Sequence, residues 1–204
     1  CMPVSLCIHG HFYQPPREDP WLGQILCEPS AAPMRHWNQR ILRESYGPLG
    51  CARRLGAEGK IADILNCYSW MSFNAGPTLL QWMRRSAPDT LDRMRAGDAE
   101  SFARWGHGNA MAQVYQQIIM PLATPEEHEL ETGWAIADFR FHFGRDPKGM
   151  WLSECAVDTA SLECLADHGS RFVILAPRQA KAVIEDGGPV SVDEGRLDVG
   201  APYL

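Results

Sequence analysis

The sequence predicts an α/β protein built as a parallel (β/α) barrel. Four short, nearly continuous apolar runs, Val4 to Ile8, Ile64 to Tyr68, Gly149 to Leu152 and Phe172 to Leu175, have the character of strands covered on both faces. Stretches with helical periodicity separate them. Met150 to Leu175 reads as strand, helix and strand, a unit whose crossover should be right-handed and parallel. At 204 residues, with 45% hydrophobic and 22% charged content, the chain is long enough to bury a substantial core in one domain.

In chain order, Val4 to Ile8 is the first inner strand, and His9-Gly10-His11-Phe12-Tyr13-Gln14-Pro15-Pro16 follows it directly. Trp21 to Pro33 reads as a loop rich in proline and small residues. Met34, Trp37, Ile41 and Leu42 fall at helical spacing, and Gly47-Pro48 ends that helix after Tyr46. Ile61 to Phe73 is the second strand region, centred on Ile64 to Tyr68. Asn74-Ala75-Gly76-Pro77 opens a helix through Met83, with proline in the first turn, where a missing N–H is harmless. Another amphipathic helix covers Pro88 to Arg104 and carries Leu91, Met94 and Phe102. Thr124-Pro125-Glu126-Glu127 has the cap-proline-acid order of a helix start, and that helix runs to about Phe143. Asp158 caps a further helix, which Gly169 stops. Val190-Ser191-Val192 and Arg196 to Val199 read as a small hairpin around Asp193-Glu194-Gly195.

The net charge of −6 and the lack of any Lys/Arg run argue against a nucleic-acid or anionic-membrane surface, both of which need clustered positive charge. A neutral or small-molecule partner is expected, and the pattern carries no signal for oligomeric state. The seven cysteines, at positions 1, 7, 27, 51, 67, 155 and 164, contain no CxxC pair and sit mostly in apolar runs. Buried free thiols in a reducing compartment are therefore expected. No apolar run approaches a membrane span and the N-terminus lacks the layout of a secretory signal, which predicts a cytoplasmic location.

Three stretches bear the residue types of a site. Trp151-Leu152-Ser153-Glu154 ends a strand in a carboxylate, and at the carboxyl ends of barrel strands side chains face the mouth where ligands bind. Trp151 would stack on a substrate and lower the local dielectric around Glu154. A core indole beside a solvated loop acid fits the same residues. His9 and His11, with the aromatics and prolines after them, suit a sugar-binding or metal-binding lip, although two histidines are too few for a metal site. Gly106 and Gly108 bracket His107, either for a close approach to a ligand or for a plain turn between helices.

Together, His9-Gly10-His11 with Gln14-Pro15, the Gly106-His107-Gly108-Asn109 region and Trp151-Leu152-Ser153-Glu154-Cys155 resemble the signatures of glycoside hydrolase family 57 in order and approximate spacing. That family acts on α-linked glucans and belongs to a larger group of barrel glycosidases and sugar deacetylases. Two departures mark a less familiar branch: Phe12-Tyr13 stand between His11 and Gln14, and Ser153 stands where many relatives carry proline.

The resemblance implies an incomplete, seven-stranded barrel with residues 1–204 as its N-terminal portion, ending before the last strands. It implies an oligo- or polysaccharide substrate, no metal and no cofactor. Glu154 falls on the nucleophile position. His9 and His11 would hydrogen-bond sugar hydroxyls and stabilise the nucleophile's charge, Gln14 and His107 would also bind substrate, and Trp151 would offer its apolar face to the sugar. The family's general acid, an aspartate, would lie beyond Leu204. Two other readings stay open: a metal-dependent deacetylase or mannosidase with His9 and His11 as ligands, and a carbohydrate-binding barrel without catalysis.

Overall fold

The computed structural model describes residues 6–185, 187–192 and 196–200. β1 (His9–Phe12) leads through a long irregular excursion to α1 (Trp37–Ile41), which runs through a π-helical stretch, Leu42–Tyr46, into α2 (Gly47–Leu49). β2 (Ala52–Leu55) and β3 (Ile61–Leu65) form an antiparallel hairpin. β4 (Ser72–Ala75) precedes α3 (Pro77–Ser86) and α4 (Pro88–Trp105), and β5 (Ala110–Gln113) precedes α5 (Pro125–Phe143). β6 (Met150–Trp151) precedes α6 (Thr159–Asp167), and a second antiparallel hairpin follows, β7 (Ala182–Glu185) with β8 (Gly188–Ser191).

The four strands β1, β4, β5 and β6 make one parallel sheet in that order, and a single parallel bridge from Gly149 to Phe172 extends it. The parallel α/β architecture is thus present as an open sheet rather than a closed barrel. Phe73, Tyr68, Leu79, Leu80, Met83, Leu91, Met94, Met150, Leu152 and Leu165 are fully buried in the core that binds the helices to the sheet. Helix boundaries follow local chemistry. The Thr124 hydroxyl accepts from the Glu127 amide while the Glu127 carboxylate accepts from the Thr124 amide, closing a capping box on α5. Asp158 accepts from the Ser161 amide at 2.9 Å at the start of α6, and these Ser161 hydrogen bonds hold its carboxyl below the usual range.

Several expectations are corrected. The first inner strand is His9–Phe12 rather than Val4 to Ile8: Val4 and Ser5 lie outside the described residues, and Leu6 is 86% exposed. Gly10 suits this register, since a side chain there would meet the ends of the Met71 and Phe12 side chains at 2.7 Å and force them to move. Ile64 to Tyr68 is not an inner strand. Its first residues belong to the outer hairpin, where Ile64 is 60% exposed, and Tyr68 is buried from a 3₁₀ turn, Cys67–Ser69; the inner strand is β4. The expected strand Phe172 to Leu175 reduces to the one bridge at Phe172.

The stretch that follows His107 is a strand, β5, rather than part of a turn. Ala-Met-Ala-Gln lacks β-branched residues, yet all four residues are buried as an interior strand, where small side chains fit between two neighbours. The helix expected from Met34 starts at Trp37, capped by His36. The expected hairpin turn Asp193-Glu194-Gly195 lies outside the described residues; β8 takes in Val190 and Ser191 but pairs with β7, and Arg196 to Val199 is not a strand. The six cysteines in the described residues are free, but only Cys164 is buried. No helix among the described residues is long and apolar enough to cross a membrane.

Candidate active site

Strand alternation puts His9 and His11 on one face of β1, while Phe12 turns into the core against Tyr46, Tyr68 and Phe73. Pairing with β4 sets Ser72 opposite His9 and Asn74 opposite His11. Asn74, fully buried, then joins three neighbours. Its Oδ1 lies 2.9 Å from Nε2 of His9, and its Nδ2 lies 2.9 Å from Nδ1 of His11 and 2.5 Å from Oε1 of Gln113 at the end of β5. Gln113 in turn donates to the Gln117 side chain.

This network settles the proton positions. The Asn74 amide donates, so His11 Nδ1 accepts and the His11 proton sits on Nε2. The Asn74 carbonyl accepts, so His9 Nε2 carries its proton. His9 Nδ1 then accepts from the Ser72 hydroxyl at 2.8 Å. Burial lowers the pKa of both rings, opposed for each by the Asn74 hydrogen bond and for His11 also by the charge of Glu154. At neutral pH both are uncharged hydrogen-bonding groups. The rings are also poor candidates for metal ligands as placed, because both nitrogens of His9 and one of His11 already have protein partners.

Trp151 lies against both imidazoles, its ring 4.6 Å from His11 at 19° and 5.3 Å from His9 at 10°, and Tyr13 continues the stack 6.5 Å beyond His11. The indole Nε1 and the Ser153 hydroxyl are both buried without a protein partner, two orphaned polar atoms at the end of β6. Glu154 is exposed just past β6, and its charge is felt at His11. Its backbone is left-handed (φ 55°), as is that of Cys155 (φ 56°). Gln117, with φ 61°, is the third non-glycine residue in this conformation among the described residues, and it belongs to the same polar network. Left-handed backbone at a residue with a Cβ is strained, and such strain concentrates at functional sites.

His9, His11, Trp151 and Glu154 are therefore neighbours, while two other expected members are placed differently. Gln14 is buried near the strand ends, but its amide is engaged within the protein, donating to Tyr46 Oη at 3.1 Å and accepting from Arg17 at 3.1 Å. His107 is exposed in the turn that enters β5, at the amino end of the strand, whereas Gln113 marks the carboxyl end. Its two glycines serve the fold. Gly106 is the left-handed C-cap of α4, and Gly108 leaves room for the buried Asp98–Arg145 pair, which a side chain there would strike. Sequence reasoning does not single out Asn74, Gln113 and Ser72. The available signal is a polar residue at the carboxyl end of a buried strand, in Phe73-Asn74 and Ala112-Gln113.

A cavity of about 520 Å³ opens just past the ends of β1, β4 and β5, where Pro16, Pro77 and Tyr115 line it together with Asp138 and His142. Burial raises the Asp138 carboxyl to about 6 and lowers His142 to about 4. Away from the strand ends, Glu129, Cys164 and His168 form the one group of metal-competent side chains among the described residues.

A family model described as glycosyl hydrolase family 57 matches residues 32–191, a span that contains Trp151 and Glu154 and starts after His11. An α-amylase from Pyrococcus abyssi is 24% identical over 97 residues, 48% of this chain and 14% of that protein. A 4-α-glucanotransferase from Thermococcus litoralis is 27% identical over 116 residues, 55% of this chain and 16% of that protein. Among solved structures, the Thermococcus litoralis 4-α-glucanotransferase superposes with a TM-score of 0.58 at 18% identity, covering 86% of this chain and 23% of the other. An exo-type maltose-forming amylase from Pyrococcus sp. ST04 superposes with a TM-score of 0.56 at 14% identity, covering 83% and 28%. The matches thus span only a small part of each relative, and the structural likeness is one of fold.

Proposed function

The chain belongs to glycosyl hydrolase family 57, and from that premise we propose that it is the amino-terminal part of a retaining enzyme that hydrolyses or transfers α-linked glucans through a covalent intermediate on Glu154. The observation that carries the proposal is the placement of Glu154. It is an exposed carboxylate on strained backbone at the carboxyl end of β6, next to an indole stacked on two neutral imidazoles. The activities named for the relatives, amylase and 4-α-glucanotransferase, support the substrate class. The four-stranded open sheet is, in this proposal, the first part of an incomplete seven-stranded barrel.

In the reaction, the Glu154 carboxylate attacks the anomeric carbon while an acid protonates the departing glycosidic oxygen. Water or a sugar hydroxyl then takes the glycosyl group from Glu154, with the same acid acting as base. Nε2–H of His11 is free to donate to a sugar hydroxyl or to the carboxylate, and the Trp151 face suits the C–H surface of a glucose ring. Retaining chemistry places the second carboxyl about 5 Å from the nucleophile. Asp158, the next aspartate after Glu154, is occupied as the cap of α6, and the resemblance to the family implies an aspartate acid beyond Leu204. The chemistry calls for neither metal nor organic cofactor. The free thiols are the reason to place the protein in the reducing cytoplasm.

The test is a full-length protein assayed on maltooligosaccharides and amylose with the anomeric product followed by NMR, beside its Glu154→Gln variant. Retention of configuration in the wild type, covalent labelling of Glu154 by a mechanism-based glucosyl inhibitor and loss of turnover in the variant are expected. A variant within a few-fold of wild type would remove Glu154 from the nucleophile role. Saturable glucan binding without turnover would favour a carbohydrate-binding barrel.

A further inference from the structure

We propose that Glu129, Cys164 and His168 form a second, non-catalytic site that binds zinc or a divalent cation of similar softness between α5 and α6. One ligand atom from each residue lies within 4.8 Å of the other two. Cys164 and His168 are four residues apart at the end of α6 and so share one face of the helix. Glu129 reaches them from α5, with Oε1 at 3.6 Å from the Cys164 sulfur and Oε2 at 3.4 Å from His168 Nε2. Two donors held roughly 2.0–2.3 Å from a tetrahedral zinc are themselves separated by roughly 3.3–3.8 Å, and the Glu129 carboxylate stands at such a distance from the sulfur through one oxygen and from the ring through the other.

The orientation of the imidazole fits as well. His168 Nδ1 lies 2.9 Å from the Cys164 carbonyl, which fixes the proton there and turns the lone pair of Nε2 toward Glu129. Thr132 Oγ1, 3.6 Å from the sulfur, supplies a hydroxyl that can donate to a thiolate. A sulfur, nitrogen and oxygen donor set selects zinc or a similar borderline-soft ion over magnesium or calcium, which take oxygen ligands. Cys164 is buried, His168 is partly buried and Glu129 is exposed, so an ion can enter from the Glu129 side and keep water in the fourth position. On binding, the thiol proton leaves to solvent as the sulfur–metal bond forms. Thiolate and carboxylate then neutralise the dication, with His168 neutral. Without an ion, the same side chains make an ordinary thiol hydrogen bond and an imidazole–carboxylate contact, and metal titration separates the two cases.

Metal-free, reduced protein is titrated with Co²⁺ and then with Zn²⁺. A single saturable site is expected, with a thiolate-to-cobalt charge-transfer band that zinc displaces and a higher thermal midpoint in zinc. Cys164→Ser should abolish the band, and His168→Gln should weaken cobalt binding at least about tenfold. The other free thiols make the variants decisive: an undiminished band in Cys164→Ser would assign cobalt to one of them and overturn the proposal. No saturable site in the wild type would do the same. Because Cys164 is buried and its replacement can disturb packing, His168→Gln is the deciding variant if the serine protein misfolds, and unchanged affinity there overturns the site.

Discussion

Asn74 and His11 are joined by a 2.9 Å hydrogen bond in which the amide nitrogen donates and Nδ1 of the ring accepts. The same amide presents its oxygen to His9, so a single buried side chain fixes both imidazole tautomers, while burial keeps both rings neutral against the Trp151 stack. An aspartate in its place would present acceptors to both rings and a charge that favours their protonated forms. Asn74→Asp is therefore expected to raise the pKa of His9 and His11 by about one unit or more, read from imidazole NMR shifts against pH. Unchanged titration would show that residue 74 does not control the rings.

A second prediction concerns the entry to β5. Arg145 reaches Asp98 through Nε at 2.8 Å and through a terminal nitrogen at 2.7 Å, and Asp98 also accepts from the Ala110 amide at 2.7 Å. Asp98 is 3% exposed, so its loss takes the carboxylate from a part-buried guanidinium and leaves the buried Ala110 amide without its acceptor. Asp98→Ala should cost about 3–5 kcal/mol in urea unfolding. Gly108→Ala, which pushes a methyl group into the same pair, should be similarly severe, while His107→Ala one residue away should be nearly silent. A large loss for His107→Ala would show that the imidazole carries interactions of its own.

These residues also show what is legible in the sequence. Trp151 and Glu154 can be read because an apolar run ends on them, and His9 and His11 because their motif is local, even though they sit on the strand rather than after it. Asn74 and Gln113 leave only a faint local trace, a polar residue at the carboxyl end of a buried strand. They satisfy one another's amides across 39 positions, and their strands are short and partly built from alanine. His107 is the opposite case: Gly108 is required by packing against Asp98 and Arg145 and Gly106 by the left-handed cap of α4, and such demands of the fold select glycine as surely as a ligand does.

The pair Asp138 and His142, 3.6 Å apart, predicts an unusual pH dependence. His142 takes up its proton at about 4 when folded, below the ordinary histidine value of 6.5, so the stability it contributes is present above 6.5 and lost as pH falls through 4. Asp138 titrates at about 6 when folded, above its ordinary 3.8, so its contribution is fully present below 3.8 and lost as pH rises through 6. Over the window between 4 and 6 the two slopes oppose each other. Thermal midpoints of Asp138→Asn should fall with acidification more steeply than wild type, and those of His142→Gln should rise relative to it. Parallel profiles for all three proteins would show that the pair does not titrate as placed.

The last prediction separates backbone strain from chemistry at Glu154. With φ 55° and ψ 18°, the residue sits in the left-handed region, where a Cβ costs roughly 1–2 kcal/mol and glycine pays no such penalty. The turn itself is fixed from both sides: the Cys155 amide donates to the Leu152 carbonyl at 3.0 Å, and Gln179 donates to the Cys155 carbonyl at 2.6 Å. Substitution at 154 should leave this geometry in place. Glu154→Ala keeps the strain and Glu154→Gly removes it, at an unfolded-chain entropy cost of about 0.5–1 kcal/mol. The glycine variant should therefore be the more stable of the two, by up to about 1.5 kcal/mol in denaturant unfolding. Glu154→Gln, which keeps both shape and strain, should match wild-type stability and thus isolates the loss of the carboxylate. If alanine is instead as stable as glycine, the turn has relaxed and residue 154 is not held in a left-handed conformation. If glutamine is markedly less stable than wild type, the carboxylate carries structural interactions, and lost activity in that variant could not be assigned to chemistry alone.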